Sequence, residues 1–122
     1  MGMRYEIDQA VANVRIIGTG HLSMPEMISV VDAVAEDPRF CSNFTVIFDI
    51  RNANYTAELN DGDAFVAALK RREVNFQNRF ALVVPESIHI LAKLFCLLAQ
   101  VSGIDRMQCF TDIGEARKWC GI

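Results

Sequence analysis

The sequence has little of what a metal-binding or disulfide-rich protein needs. Only two of its 122 residues are histidine and four are cysteine, and no two cysteines have the CxxC spacing. His21 and His89 are far apart in the chain and belong to no paired-histidine motif. These shortages predict neither a metal site nor a disulfide framework, and they lead us to expect no cofactor. Reduced thiols are typical of a cytoplasmic protein.

Long apolar runs and an excess of positive charge are also missing. The longest apolar segment, ILAKLFCLLAQV, is interrupted by Lys93 and is too short to cross a bilayer. Twelve basic and fifteen acidic residues give a formal net charge of -3, which argues against a general nucleic-acid-binding protein. No linker or low-complexity tract divides the chain. Residues 1–122 are therefore predicted to form a single cytoplasmic domain.

What is present is an alternation of strand and helix patterns. RYEID (4–8) alternates like an outer strand, and a second strand, about 11–17, ends at Gly18 and Gly20 and pairs with it as a hairpin. FTVIFDI and RFALVV are apolar on both faces, which is typical of central strands, and RMQCF is the last strand. Helices are predicted from Ser23, from Asn60 or Asp61 to about Val74, from Glu86 to Val101, and from Asp112. The order predicts an α/β fold: a mostly parallel five-stranded sheet with an antiparallel N-terminal hairpin strand and about four helices.

No segment carries a catalytic constellation. GTGHLS has two glycines between a strand and a helix, but Ser23 occupies the third position of a dinucleotide fingerprint and forms a capping box with Glu26. Glu58, Asp61 and Asp63 gather at a predicted helix start, where the backbone dipole favours negative charge. The same spacing could serve acid-base chemistry, but helix capping explains it without a cleft. We expect no catalytic residue.

The helix from Glu86 to Val101 is apolar over more than half of its circumference. Its polar residues, His89 among them, share a narrow stripe, and one sheet face cannot cover the rest. Either neighbouring helices bury the excess, or it forms an interface or lines an apolar pocket. The last helix is different, because Trp119, the only tryptophan, lies on one apolar face with Ile113, Ala116 and Cys120. That arrangement predicts that Trp119 anchors the end of the chain to a core.

The order of elements and four strings are similar to the SpoIIAA-like, or STAS-like, family. These strings are GTGHLS before the first helix, VIFDIRNA on the third strand, RFALVVPESI with LAKLFCLLAQ, and CFTDIGEARKW at the end. The resemblance implies a sheet with helices largely on one side, and a role in binding rather than catalysis. It also implies an apolar, lipid-like ligand as an option, since some related domains are linked with one.

One part of the resemblance is incomplete. In the anti-sigma-factor antagonists of that family, a phosphorylatable serine at the start of the helix after the third strand switches partner binding. The corresponding segment here resembles residues 59–62, LNDG, which has no hydroxyl group. Asp61 would then act either as a permanent negative charge or as a helix cap, and Thr56 is a further acceptor candidate.

These observations lead to a first hypothesis of a non-enzymatic binding or regulatory module that acts through protein-protein interaction and self-associates. The alternative is a carrier or sensor of a small apolar ligand, and an unidentified enzyme comes third. The partner or ligand surface is expected on the loop after the third strand and on the apolar helix, at Arg51, Asn60, Asp61, Leu91, Leu94, Phe95 and Leu98.

Overall fold

Four helices pack on a five-stranded sheet in the computed structural model, which describes residues 2–122. The strands are β1 (Gly2–Asp8), β2 (Asn13–Leu22), β3 (Thr45–Tyr55), β4 (Phe80–Val83) and β5 (Met107–Phe110). The helices are α1 (Met24–Glu36), α2 (Asp61–Arg71), α3 (His89–Val101) and α4 (Ile113–Cys120), and a 3₁₀ turn, Glu86–Ile88, precedes α3. No helix within this range is long and apolar enough to cross a membrane.

The strand order in the sheet is the order in the sequence, β1-β2-β3-β4-β5. β1 is antiparallel to β2, and all other neighbours are parallel. This arrangement confirms the predicted α/β fold with its antiparallel N-terminal hairpin. It also places α1, α2 and α3 in a row on one face of the sheet, because every parallel connection advances by one strand in the same direction.

The two faces of the sheet carry cores of unequal size. The larger core lies under α1, α2 and α3 and contains Phe48, the largest fully buried side chain. The smaller core lies under α4, where the fully buried Ala116 packs with Ile47 and Val83. Residues 45–50 of β3 and all of β4 are buried, as their two-sided apolar pattern predicts.

The predicted end of the second strand was wrong. β2 continues through Gly18 and Gly20 to Leu22, and β3 likewise extends five residues beyond Ile50. Gly18 is buried where a Cβ atom would come within 2.7 Å of Leu22 Cδ1, so this glycine allows close packing and does not end the strand. Gly20 adopts a φ of 73° just after a register irregularity. The two strands therefore form a ribbon, paired from Thr19↔Asn52 to Leu22↔Tyr55, that extends beyond β4.

The helices differ in whether a side chain caps the N-terminal end. Ser23 caps α1 in the predicted capping box, with Ser23 Oγ accepting from the Glu26 amide and Glu26 Oε1 accepting from the Ser23 amide. α3 has no such cap, and its α-helical part begins at His89, three residues later than predicted. α2 ends at Arg71 and not near Val74.

Candidate functional site

The most unusual surface of the protein is the outward side of α3. Five large apolar residues there are exposed, and we call them the α3 outer face: Ile90 (77% exposed), Leu94 (52%), Leu97 (54%), Leu98 (38%) and Val101 (75%). The cause is positional. α3 is the last helix in the row, so α2 is the one helix of the row that packs beside it, and β5 beneath it is an edge strand. Neighbouring helices do not bury the apolar excess of α3.

The inner side of α3 belongs to the core. Ala92 and Ala99 are buried, and the half-buried Phe95 packs against the ring of Phe65 with centroids 6.3 Å apart. Beneath α3 lies an apolar cavity of about 20 Å³, lined by residues that include Phe95, Leu91 and Tyr55. A cavity of this size holds about one water molecule, whereas small-molecule pockets measure several hundred Å³. Carrying an apolar ligand would therefore require α3 to move away from the sheet.

The N-terminal turn of α2 joins this surface through Gly62. A Cβ atom at Gly62 would come within 2.9 Å of Leu98 Cδ1 and 3.3 Å of Phe95 Cε1, so the two helices approach closely there. Asn60 and Asp61 immediately precede that contact. The structure thus places the predicted residues Asn60 and Asp61 beside α3, the helix that carries the predicted residues Leu91, Leu94, Phe95 and Leu98.

Asp61 does not cap α2, contrary to one of the two expectations from the sequence. The N-cap is Asn60, in a left-handed conformation with φ 72° and without a side-chain capping bond. The Asp61 carboxylate instead accepts hydrogen bonds from the Tyr55 hydroxyl and, at 2.9 Å, from the Glu58 amide. Asp61 therefore ties the end of β3 to the loop before α2, and its charge still lies in the first turn of the helix, where the dipole favours it.

Burial and the bond to Asp61 together raise the pKa of Tyr55 well above its usual value near 10. Because the pKa of Tyr55 is higher in the folded protein than in the unfolded chain, the neutral phenol contributes stability that is fully present below pH 10. This contribution is lost as the pH rises through the folded pKa. In a Tyr5→Phe background, where Tyr55 is the only tyrosine, we expect Asp61→Asn to lower the tyrosine titration midpoint. The midpoint should stay above 10, since burial is the larger cause.

Absorbance at 295 nm during an alkaline titration measures this shift. Asp63→Asn is the matched control, because Asp63 lies exposed in the same helical turn and forms no bond to Tyr55. Equal midpoints in the Asp61→Asn and Asp63→Asn variants would contradict the bond between Tyr55 and Asp61.

Arg51 is the seventh predicted surface residue, and the structure separates it from the others. Its guanidinium donates to Asp49 from Nε and Nη2, both at 2.9 Å, and Arg15 Nη2 donates to the same carboxylate at 3.0 Å. Asp49 alternates along β3 with Phe48 and Ile50, which face α1, α2 and α3, so this cluster lies on the opposite face of the sheet. Arg51 is thus committed to an internal ion pair.

Asp49 is the buried charge that sequence reasoning missed. Its side chain is 4% exposed. Burial alone would raise its pKa, but the hydrogen bonds from Arg51 and Arg15 outweigh burial and hold the pKa of Asp49 below its usual value. The sequence does contain an indication of this buried charge, because Asp49 is the one charged residue in the apolar run VIFDI.

A polar cleft of about 390 Å³ lies at the end of the β2–β3 ribbon, between the N-termini of α1 and α2. Its lining includes His21, Ser23, Thr56, Glu58 and Asp61. Within residues 2–122, no group of three or more His, Cys, Asp or Glu side chains is arranged to hold a metal ion. Ser23 and Asp61 are engaged in the contacts already described, whereas Thr56 is exposed.

Comparisons with known proteins identify the fold. No protein-family model matches the sequence, and no curated protein matches it. Among solved structures, an uncharacterized DUF3478-family protein with a SpoIIAA-like fold from Shewanella loihica PV-4 superposes with a TM-score of 0.62 at 14% identity. That match covers 98% of this chain and 94% of the other. The unphosphorylated anti-sigma factor antagonist SpoIIAA superposes with a TM-score of 0.58 at 18% identity, over 99% of this chain and 98% of that one.

Proposed function

We propose that this chain, which has the SpoIIAA-like fold, is a non-enzymatic regulatory module that acts through protein-protein interaction and self-associates. The observation that carries the proposal is the α3 outer face, together with the loop before α2 that adjoins it. One structural neighbour is an anti-sigma factor antagonist, and a regulatory binding role is what that likeness supports. We place this activity in the cytoplasm, because all four cysteines are free thiols.

The size and composition of the surface support binding. The five residues of the α3 outer face expose roughly 500 Å² of apolar area, which is near the upper end of the largest patch on a typical monomer. Such patches mark interaction sites more often than chance exposure, because water contact with this much apolar surface is unfavourable. Asn60, Asp61 and the 90% exposed Leu59 add polar and apolar groups beside it.

Sedimentation velocity over a range of concentrations tests self-association. We expect the mass of the wild type to rise with concentration, and Ile90→Asp to weaken association at least about 100-fold, because burying an unpaired carboxylate costs several kcal/mol. Ile90 is 77% exposed and lies in the first turn of α3, where an acidic residue suits the dipole, so folding should be unaffected.

Val74→Asp is the matched control, because Val74 is 72% exposed but lies outside α3, in the connection between α2 and β4. It should leave association unchanged. A wild type that stays monomeric, or an Ile90→Asp variant that associates as well as Val74→Asp, would count against self-association through this surface.

A further inference from the structure

The α3 outer face contains the spacing of a helix-pairing seam. Ile90, Leu94, Leu97 and Val101 are separated by four, three and four residues, which is the a/d repeat of a coiled coil over two heptads. Side chains with this spacing form a straight stripe suited to a nearly antiparallel or parallel helix. The inner contacts of α3 use a different set, including Ala92, Phe95 and Ala99, so the seam is not needed for packing on the sheet.

We propose that the occupant of this seam is α3 of a second copy, packed antiparallel about a two-fold axis; this inference rests on the proposed self-association. In an antiparallel pair, a positions face d positions, so Ile90 of one copy meets Val101 of the other, and Leu94 meets Leu97. The axis then passes between Phe95 and Cys96. Each apolar layer combines one residue from either copy, as a closed two-fold interface requires.

The flanks of the seam are compatible with this register. On one side Lys93 of each copy lies beside Gln100 of the other, so no like charges meet. On the other side Leu91 and Leu98 continue the apolar surface. The antiparallel orientation also opposes the two helix dipoles, whereas a parallel pair would align them.

The exposed area is large enough for a weak pair. Two α3 outer faces together expose roughly 1,000 Å² of apolar surface, so a pair that buried all of it would reach the size of the smaller, transient protein interfaces. A membrane surface is a weaker match, because Lys93 is the one cation within α3 and the chain has a net charge of -3. The helix spacing and the area favour a second copy.

Cross-linking of introduced cysteines tests this register directly. In a Cys41→Ser background we would prepare the Ile90→Cys and Val101→Cys variants separately. Each variant alone, and a mixture of the two, would then be treated with a short bismaleimide. Cys41 is the exposed native thiol, whereas burial raises the pKa of Cys96, Cys109 and Cys120 and slows their alkylation. We expect a covalent dimer only in the mixture, and none when Val74→Cys replaces either partner.

Each other outcome overturns the inference. Cross-linking of Ile90→Cys with itself would show a parallel pair. A dimer in sedimentation without any of these cross-links would place the interface elsewhere and leave self-association standing. A protein that stays monomeric at all concentrations would contradict both the antiparallel α3 pair and the proposed self-association. Wild-type binding to phosphatidylglycerol vesicles that is lost in Ile90→Asp, without a dimer, would assign the seam to a membrane.

Discussion

Replacing Asp49 with alanine should lower the free energy of unfolding by about 3 kcal/mol, because breaking a buried ion pair leaves its partner charges uncompensated. Asp49 accepts from the backbone amide and guanidinium of Arg51 and from Arg15. Both arginines remain partly exposed, at 30% and 39%, and can recover some hydration. We therefore place the loss at the lower end of the range for buried pairs. Urea denaturation followed by circular dichroism measures it.

Two variants separate the charge from the hydrogen bonds. Asp49→Asn keeps an acceptor for Arg51 and should lose about half as much stability. Glu6→Ala removes the Arg4–Glu6 pair on β1, whose side chains are both more than 60% exposed, and should cost under about 0.5 kcal/mol. If Asp49→Ala behaves like Glu6→Ala, the cluster on this face is a solvated surface pair.

The same cluster predicts the direction of acid sensitivity. Because the pKa of Asp49 is lower in the folded protein than in the unfolded chain, its contribution is present above the unfolded value and is lost as the pH falls through the folded one. The Asp49→Asn variant should therefore lose less stability than the wild type between neutral pH and pH 3.

The sequence predicted the fold well where local chemistry decides it. The two-sided apolar runs of β3 and β4 and the Ser23 capping box are local signals, and the structure contains all three. The predicted strand end at Gly18 was wrong because the role of this glycine depends on its neighbours in the fold. Leu22, Met3 and Ile50 crowd the position where a Cβ atom would be. Two of those neighbours lie on other strands, and only the assembled sheet shows that a glycine is required within a strand.

Only part of the candidate site was predictable, again because some of its features depend on the assembled fold. The apolar arc of α3 is visible in the sequence, but its exposure follows from the position of α3 at the end of a row of helices. The contact between Tyr55 and Asp61 depends on β3 continuing well past Ile50. The position of Arg51, by contrast, was predictable, because Arg51 lies two residues after Asp49 and therefore on the same face of the strand, away from Phe48.

Trp119→Ala should produce the second large loss of stability, also about 3 kcal/mol. α4 is eight residues long and has one buried residue, Ala116, so its attachment depends on partly buried neighbours. The Trp119 ring packs against Phe110 with centroids 5.6 Å apart and lies beneath the guanidinium of Arg79, 5.2 Å from the ring centre. The ring is half-buried, so the low end of the range for tryptophan truncation applies.

Loss of that ring should release α4 from the smaller core and expose Ile47 and Val83 to water. Hydrogen exchange of the α4 amides should therefore accelerate more than exchange in β3, and circular dichroism must follow unfolding because the variant lacks the only tryptophan. Arg79→Ala is the control: it removes the cation-π contact and a 2.6 Å bond to the Trp119 carbonyl but keeps the ring, and should cost about 1 kcal/mol. If both variants lose equally little, Ile113, Ala116 and Cys120 alone hold α4, and the Trp119 ring is free for contacts outside the chain.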